Sequence, residues 1–202
     1  MDLVFLPALL LAALFLANRQ QQHQRIIWLA RLLQPFEIEK LMEQVSTGYL
    51  RALGESDAER SEPIWNNLLG AEQRLSTQLG RLAEQVARED ATQARISRWP
   101  VASALAARWL SANTLDLRPL MALHAQGVAE AVANPEALSR RDQAFRLSAE
   151  LFLFQHSCHW YCRSQAVASA RLLARHQTSH DQVLQAVSER TRQGYRALVA
   201  AS

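Results

Sequence analysis

The chain has 202 residues, 49% of them hydrophobic and 20% charged, with six glycines and six prolines. This balance excludes a disordered tail, a collagen-like chain and a disulfide-stapled miniprotein, and scarce glycine, proline and β-branched residues argue against an all-β fold. Basic residues outnumber acidic ones 22 to 19, a formal charge of +3, and Lys40 is the only lysine.

An arginine- and alanine-rich, lysine-poor composition suggests a GC-rich bacterial genome. The positive surplus sits in residues 140–202, which carry nine basic and four acidic side chains, while the rest of the chain is net −2. A mild field of this kind suits an anionic lipid surface or an acidic partner. Nucleic acid is not expected as a partner, because the arginines are dispersed, without interleaved aromatics or a binding motif.

Residues 3–17 read LVFLPALLLAALFLA, without a charge. A cleaved signal peptide needs a basic segment ahead of the run and small residues before the cut; Asp2 is the only upstream charge and no A-x-A site follows. A buried core helix is an alternative, since the run is at the short end of the about 17–25 residues that span a bilayer. Apolar on every side and followed by Asn18, Arg19 and three glutamines, the run is expected to be a transmembrane anchor of residues 1–18. No Lys or Arg precedes it, and Arg19, Arg25 and Arg31 follow. The positive-inside bias then puts the N-terminus outside and the C-terminal part in the cytoplasm of a single-pass protein of the bacterial inner membrane.

In residues 19–36, Ile26, Leu29, Leu33 and Phe36 recur at helical spacing, with Trp28 and arginines alongside. This is the pattern of a juxtamembrane amphipathic helix on the membrane surface, or equally of a core-facing helix. Residues 37–202 are expected to form a cytoplasmic helical domain. Pro35 marks a break, and a helix is predicted over 36–53, with Glu37 and Glu39 in its first turn and Gly54 as its stop. Ser61 is a plausible N-cap for a long helix to about residue 89. Trp65, Leu68, Leu75, Leu79, Leu82 and Val86 follow an a/d pattern there, broken by Glu72. Intramolecular packing is the expected use of that pattern, with a homo-oligomeric coiled coil through residues 61–89 as the alternative.

Further on, Pro100 opens a predicted helix to about residue 112, and Asp116 caps one ending near 133, where Asn134-Pro135 punctuates. Residues 139–176 lack glycine and proline and are predicted to be one long central helix. Ser179 with Gln182 forms a capping-box pattern, and Ser188 caps a last helix through about 199. No strand-period alternation is visible. The expected fold class is all-α: a single N-terminal transmembrane helix followed by a cytoplasmic multi-helix bundle.

Residues 155–162, QHSCHWYC, place four ligand-type side chains close together: His156, Cys158, His159 and Cys162. On a helical wheel with Cys158 at zero, Cys162 lies at about 40°, His159 at about 100° and His156 at about 160°. Cys158, His159 and Cys162 can therefore share a face, whereas His156 cannot join them. A zinc site would need a fourth ligand from His124, His176 or His180. The order C-H-x-x-C is not the covalent haem motif C-x-x-C-H.

The competing account is packing. Leu147, Leu151, Phe154, Cys158, Cys162, Ser169 and Leu172 fall near one line, so the cysteines sit in an apolar seam as small hydrophobes. His156, His159 and Arg163 then share a flank suited to water or carboxylates. Two cysteines four residues apart make no disulfide framework; free thiols in a reducing compartment are expected. His176 and His180 are separated by a turn and lack the glutamate of a metalloprotease helix. Asp142, Arg146 and Glu150 have ordinary helix-surface pairing distances. With no nucleotide or hydrolase motif, neither catalytic residues nor a cofactor are expected. The functional expectation is a membrane-anchored interaction or scaffold protein with the lipid bilayer and a protein as partners. A metal-, haem- or thiol-dependent sensor or enzyme using Cys158, His159 and Cys162 is the alternative.

Overall fold

Helix α1 (Asp2–Leu33) runs unbroken through residues 18–19, where the sequence suggested a boundary. The structure, a computed structural model, describes residues 2–98 and 114–200, with side chains from Pro7 onward except at Ala58. The two halves of α1 have opposite environments. Leu9, Leu10, Leu11, Phe15 and Leu16 are each 61–67% exposed. Arg25, Trp28, Leu29 and Leu32 are buried, at the spacing of one helix face.

Residues 25–33 therefore take the core-facing role, and the bundle extends upstream of residue 37. The Trp28 ring rests against Tyr161 at 5.2 Å between centroids. Its Nε1 donates to Glu89 at 3.2 Å, and Arg31 pairs with the same carboxylate at 3.1 Å.

Among the described residues, no helix is long and apolar enough to cross a membrane. Asn18, Arg19 and the glutamines cut the apolar stretch short on one side, and in the sequence the run starts at Leu3, ahead of the first described side chain. The helical bundle expected from the sequence is present; the transmembrane segment has no counterpart among these helices.

Helix α2 (Ile38–Gly54) buries Ile38, Leu41, Val45, Tyr49 and Ala52. Helix α3 (Ala58–Ala87) starts before Ser61, because the Asp57 side chain accepts from the Glu59 N–H at 3.0 Å and takes the capping role. Its Leu68, Leu75, Leu79, Leu82 and Val86 are buried inside the same chain. The intramolecular use of the a/d seam is thus realised, and a coiled coil along that seam would have to displace the chain's own core.

Glu72, the fault in that pattern, is 2% exposed and has partners: the Tyr49 hydroxyl donates to it at 2.7 Å, and Arg140 lies 3.8 Å away. Burial and the Glu72 carboxylate together push the Tyr49 phenol far above its ordinary pKa.

The strands β1 (Arg95–Ser97) and β2 (Thr114–Asp116) pair antiparallel, with Ile96 opposite Leu115 and both buried. Three-residue strands are too short to show alternation in sequence, so this ribbon was not foreseen. Its neighbours on the central helix hold it, Trp160 Nε1 donating to the Ser97 carbonyl at 3.0 Å and Tyr161 to the Gln93 carbonyl at 2.8 Å. The helix predicted over 100–112 lies outside the described residues.

Helix α4 (Leu117–Ala133) matches its predicted ends. Asp116 caps it through the Arg118 N–H at 2.9 Å, and Asn134 closes it in the left-handed region (φ 50°). The predicted helix over 139–176 is instead two, α5 (Arg140–Cys162) and α6 (Gln165–His176). Neither glycine nor proline makes the break. Ser164 caps α6 by accepting from the Val167 N–H at 3.3 Å, and Arg163 donates to Gln22 on α1 at 2.6 Å.

The short helix α7 (His180–Ala186) has the predicted Ser179/Gln182 capping box. Before α8 (Glu189–Ala200), the Ser188 hydroxyl accepts from the Thr191 N–H at 3.0 Å. Helix α5 is the hub: it touches α1, α2, β1, α4, α6 and α7. Its buried residues lie all around its circumference, as expected of a helix enclosed by others.

Candidate functional site

The second half of α1, the start of α2 and the outer flank of α5 leave a groove between them of about 790 Å³. Its apolar walls include Ile26, Leu29, Leu33, Phe36, Met42 and Phe154. Cys158, His159 and Cys162 all line it, so the three residues singled out from the sequence do share one surface. Arg163 and Arg171 stand at its α5–α6 side, and Glu37 and Glu39 at its α2 side. A smaller depression of about 410 Å³ adjoins it over α6, sharing Gln155, His159 and Arg171 and adding His156 and Arg175.

The chemistry of the three residues follows from burial. Cys158 is buried and its thiol is pushed well above the ordinary value, first by loss of solvation. Cys162 is half-buried and pushed up to about 11 for the same principal reason. Both thiols are free and uncharged near neutrality, which makes them poor nucleophiles. His159 is held below its usual value by burial and by the positive charges of Arg171 and Arg175. A neutral imidazole beside guanidinium groups and over an apolar floor is suited to binding an anionic or polar group.

His156, and the histidines a zinc site would have needed as a fourth ligand, have other partners. His156 is buried at the wall of the α6 depression that His159 also lines, 3.0 Å from the Ser169 hydroxyl and 4.4 Å between ring centroids from His180. The flank it shares with His159 is therefore present, but His156 is closed off from solvent there and Arg163 lines the groove instead. His176 contacts Gln155 at 3.1 Å and stacks on Phe152 at 3.9 Å. His180 lies 3.3 Å from the Tyr195 hydroxyl. Among the described residues, no three His, Cys, Asp or Glu side chains converge where a metal ion could sit.

Two buried polar features escaped the sequence reading. One is the line of His124, Ser157, Tyr195, His180 and His156 through the core. His124 Nε2 is 2.9 Å from Ser157 Oγ, and burial holds both His124 and His156 down to about 3, so both rings are neutral. The other is Glu150, which is fully buried and accepts from the Ser188 N–H at 2.9 Å. It is not part of a surface ion pair; Arg146 pairs instead with Glu136 at 3.3 Å. Burial raises the Glu150 carboxyl to about 7. Nothing local in the sequence marks these residues, because their partners are 15 to 38 positions away.

Comparison with known proteins gives no match: no family model, no curated protein and no solved structure is similar to this chain.

Proposed function

We propose that this protein is a membrane-anchored helical interaction domain: the upstream half of α1 sits in the bilayer, and the bundle on the cytoplasmic face presents the α1–α2–α5 groove to a partner. One observation carries the reading. A single helix has an upstream half whose leucines and phenylalanine are exposed and a downstream half that is core. An exposed apolar stretch of this kind needs cover, from lipid or from protein. Residues 3–17 would be about 22 Å long as a helix, shorter than the roughly 30 Å of hydrocarbon. Local thinning of the bilayer and the long side chains of Arg19 and its glutamine neighbours accommodate such a mismatch. Arg19 after the run and the basic surplus of residues 140–202 favour the cytoplasmic side for the bundle.

Membrane fractionation of the full chain tests this. The wild type is expected to stay with membranes through an alkaline carbonate wash, and Leu10→Lys/Phe15→Lys to be released. A reporter fused after Ser202 is expected to be active only if it works in the cytoplasm. A wild type found in the soluble fraction as a discrete oligomer would show that protein covers α1, and the anchor reading would fall.

A further inference from the structure

The groove is mostly apolar and lies within the about 300–1,000 Å³ typical of small-molecule sites. Its charges are segregated by element. The α2 side carries Glu37, Glu39 and Lys40, with Lys40 paired to Glu37 at 3.1 Å. The α6 side carries Arg171, and Arg175 follows one turn on, in the adjoining depression. Helix α6 itself has no acidic residue. Among the described residues, no carboxylate comes within ion-pair distance of Arg163, Arg171 or Arg175. Guanidinium groups without acid partners, beside a half-buried imidazole and at the edge of an apolar floor, make a receptor for something with one apolar and one anionic end.

We infer that the groove and the adjoining α6 depression together bind a single-chain anionic amphiphile, its alkyl tail along the α1–α5 walls and its phosphate or carboxylate head against Arg171 and Arg175. The acids on the α2 side set the direction, since a head placed there would face Glu37 and Glu39. His159, between the two depressions, donates a hydrogen bond to the head. The negative charge offsets the repulsion from Arg171 and Arg175, so His159 binds a proton more readily in the complex. The inference does not rest on the anchoring of α1; a soluble bundle would have the same groove.

The test uses the full chain in nanodiscs of phosphatidylcholine, with dodecyl phosphate as probe and dodecanol and inorganic phosphate as its separate halves. The readouts are the rate of alkylation of Cys162, which lines the groove, and the pH titration of His159 by NMR. Dodecyl phosphate is expected to slow alkylation at a concentration about tenfold below that needed with dodecanol, and inorganic phosphate to have no effect. Arg171→Gln/Arg175→Gln, two exposed changes that leave the core intact, is expected to raise the half-effect concentration of dodecyl phosphate about tenfold without altering that of dodecanol. The His159 pKa is expected to rise with dodecyl phosphate only. If the ligand is a bilayer lipid, nanodiscs containing lysophosphatidic acid will protect Cys162 without added probe; if it is a soluble amphiphile, they will not, and dodecyl phosphate still will. Absence of protection by either anionic species overturns the inference. So does equal protection by dodecyl phosphate and dodecanol, or indifference to the arginine changes.

Discussion

Gly127 on α4 and Glu150 on α5 approach so closely that a Cβ at position 127 would stand 2.4 Å from Glu150 Oε2, and 2.5 Å from the Thr191 hydroxyl. The glycine is needed for space rather than for backbone conformation, since no glycine among the described residues has a positive φ. Gly127→Ala is expected to destabilise by about 1–3 kcal/mol, through overpacking and disturbance of the Glu150–Ser188 bond, despite the better helix propensity of alanine. Gly70→Ala, in the middle of α3 with nothing within 4 Å, is the control and should stabilise by about 0.5–1 kcal/mol. Urea unfolding of both variants checks the pair; equal behaviour would refute the packing argument.

Stability should depend on pH through three buried groups of opposite sign. Glu150 is raised in the fold, so its contribution is complete below the ordinary carboxyl range and is lost as pH rises towards about 7. His124 and His156 are lowered to about 3, so their contribution is complete above about 6.5 and is lost as pH falls. Between pH 5 and 6, two histidines oppose one glutamate, and stability should rise with pH by about 1.4 kcal/mol per unit from these groups. Above pH 6.5 the histidine part is flat and the glutamate part still falls. Glu150→Gln keeps an oxygen for the Ser188 N–H and removes the titration. Relative to wild type it should gain about 2–3 kcal/mol between pH 5 and pH 8, read from urea midpoints at each pH.

On the face of α5 that meets the groove, burial ranks three substitutions. Leu151→Ala should destabilise by about 2–5 kcal/mol, Cys158→Ala by about 1, and His159→Ala hardly at all, since Leu151 and Cys158 are buried and His159 is half-exposed. Chelator should leave the melting temperature of the wild type unchanged. A chelator-dependent melt, with His159→Ala as damaging as Cys158→Ala, would establish a metal site instead.

The place of α1 in the core makes a prediction that a simple anchor-plus-domain division does not. A chain starting at Glu37 lacks Trp28, Leu29 and Leu32, each worth about 1.5–3 kcal/mol on burial. It should aggregate or melt without a cooperative transition, whereas a chain starting at Arg19 should melt cooperatively. Circular dichroism melts of the two distinguish them, and a stable Glu37 start would show that residues 25–33 are dispensable to the bundle.

What could be read from the sequence was what depends on near neighbours. Asp116 and Asn134 bracket α4 because capping is decided within three or four residues, and Ser179 with Gln182 does the same for α7. The grouping of Cys158, His159 and Cys162 on one surface follows from helix periodicity alone. The break at Arg163 was hidden because one of its partners, Gln22, is 141 positions away. The role of Glu72 needed Tyr49 and Arg140, and that of His156 needed Ser169 and His180, none of which periodicity connects. Arg171 and Arg175 come from α6, whose separation from α5 was itself unforeseen.

Helix α1 also works as a shaft. Residues 8–33 contain neither glycine nor proline, and Arg25, Trp28 and Leu32 lock its rotation against the bundle. One residue inserted between Asn18 and Gln24 would turn everything upstream by about 100° and push it out by about 1.5 Å. Seven inserted residues would restore the rotation to within about 20° while adding roughly 10 Å of length. Whatever grips the upstream half therefore sets two things for the groove, its bearing and its standoff, and insertions of one and of seven residues would separate them.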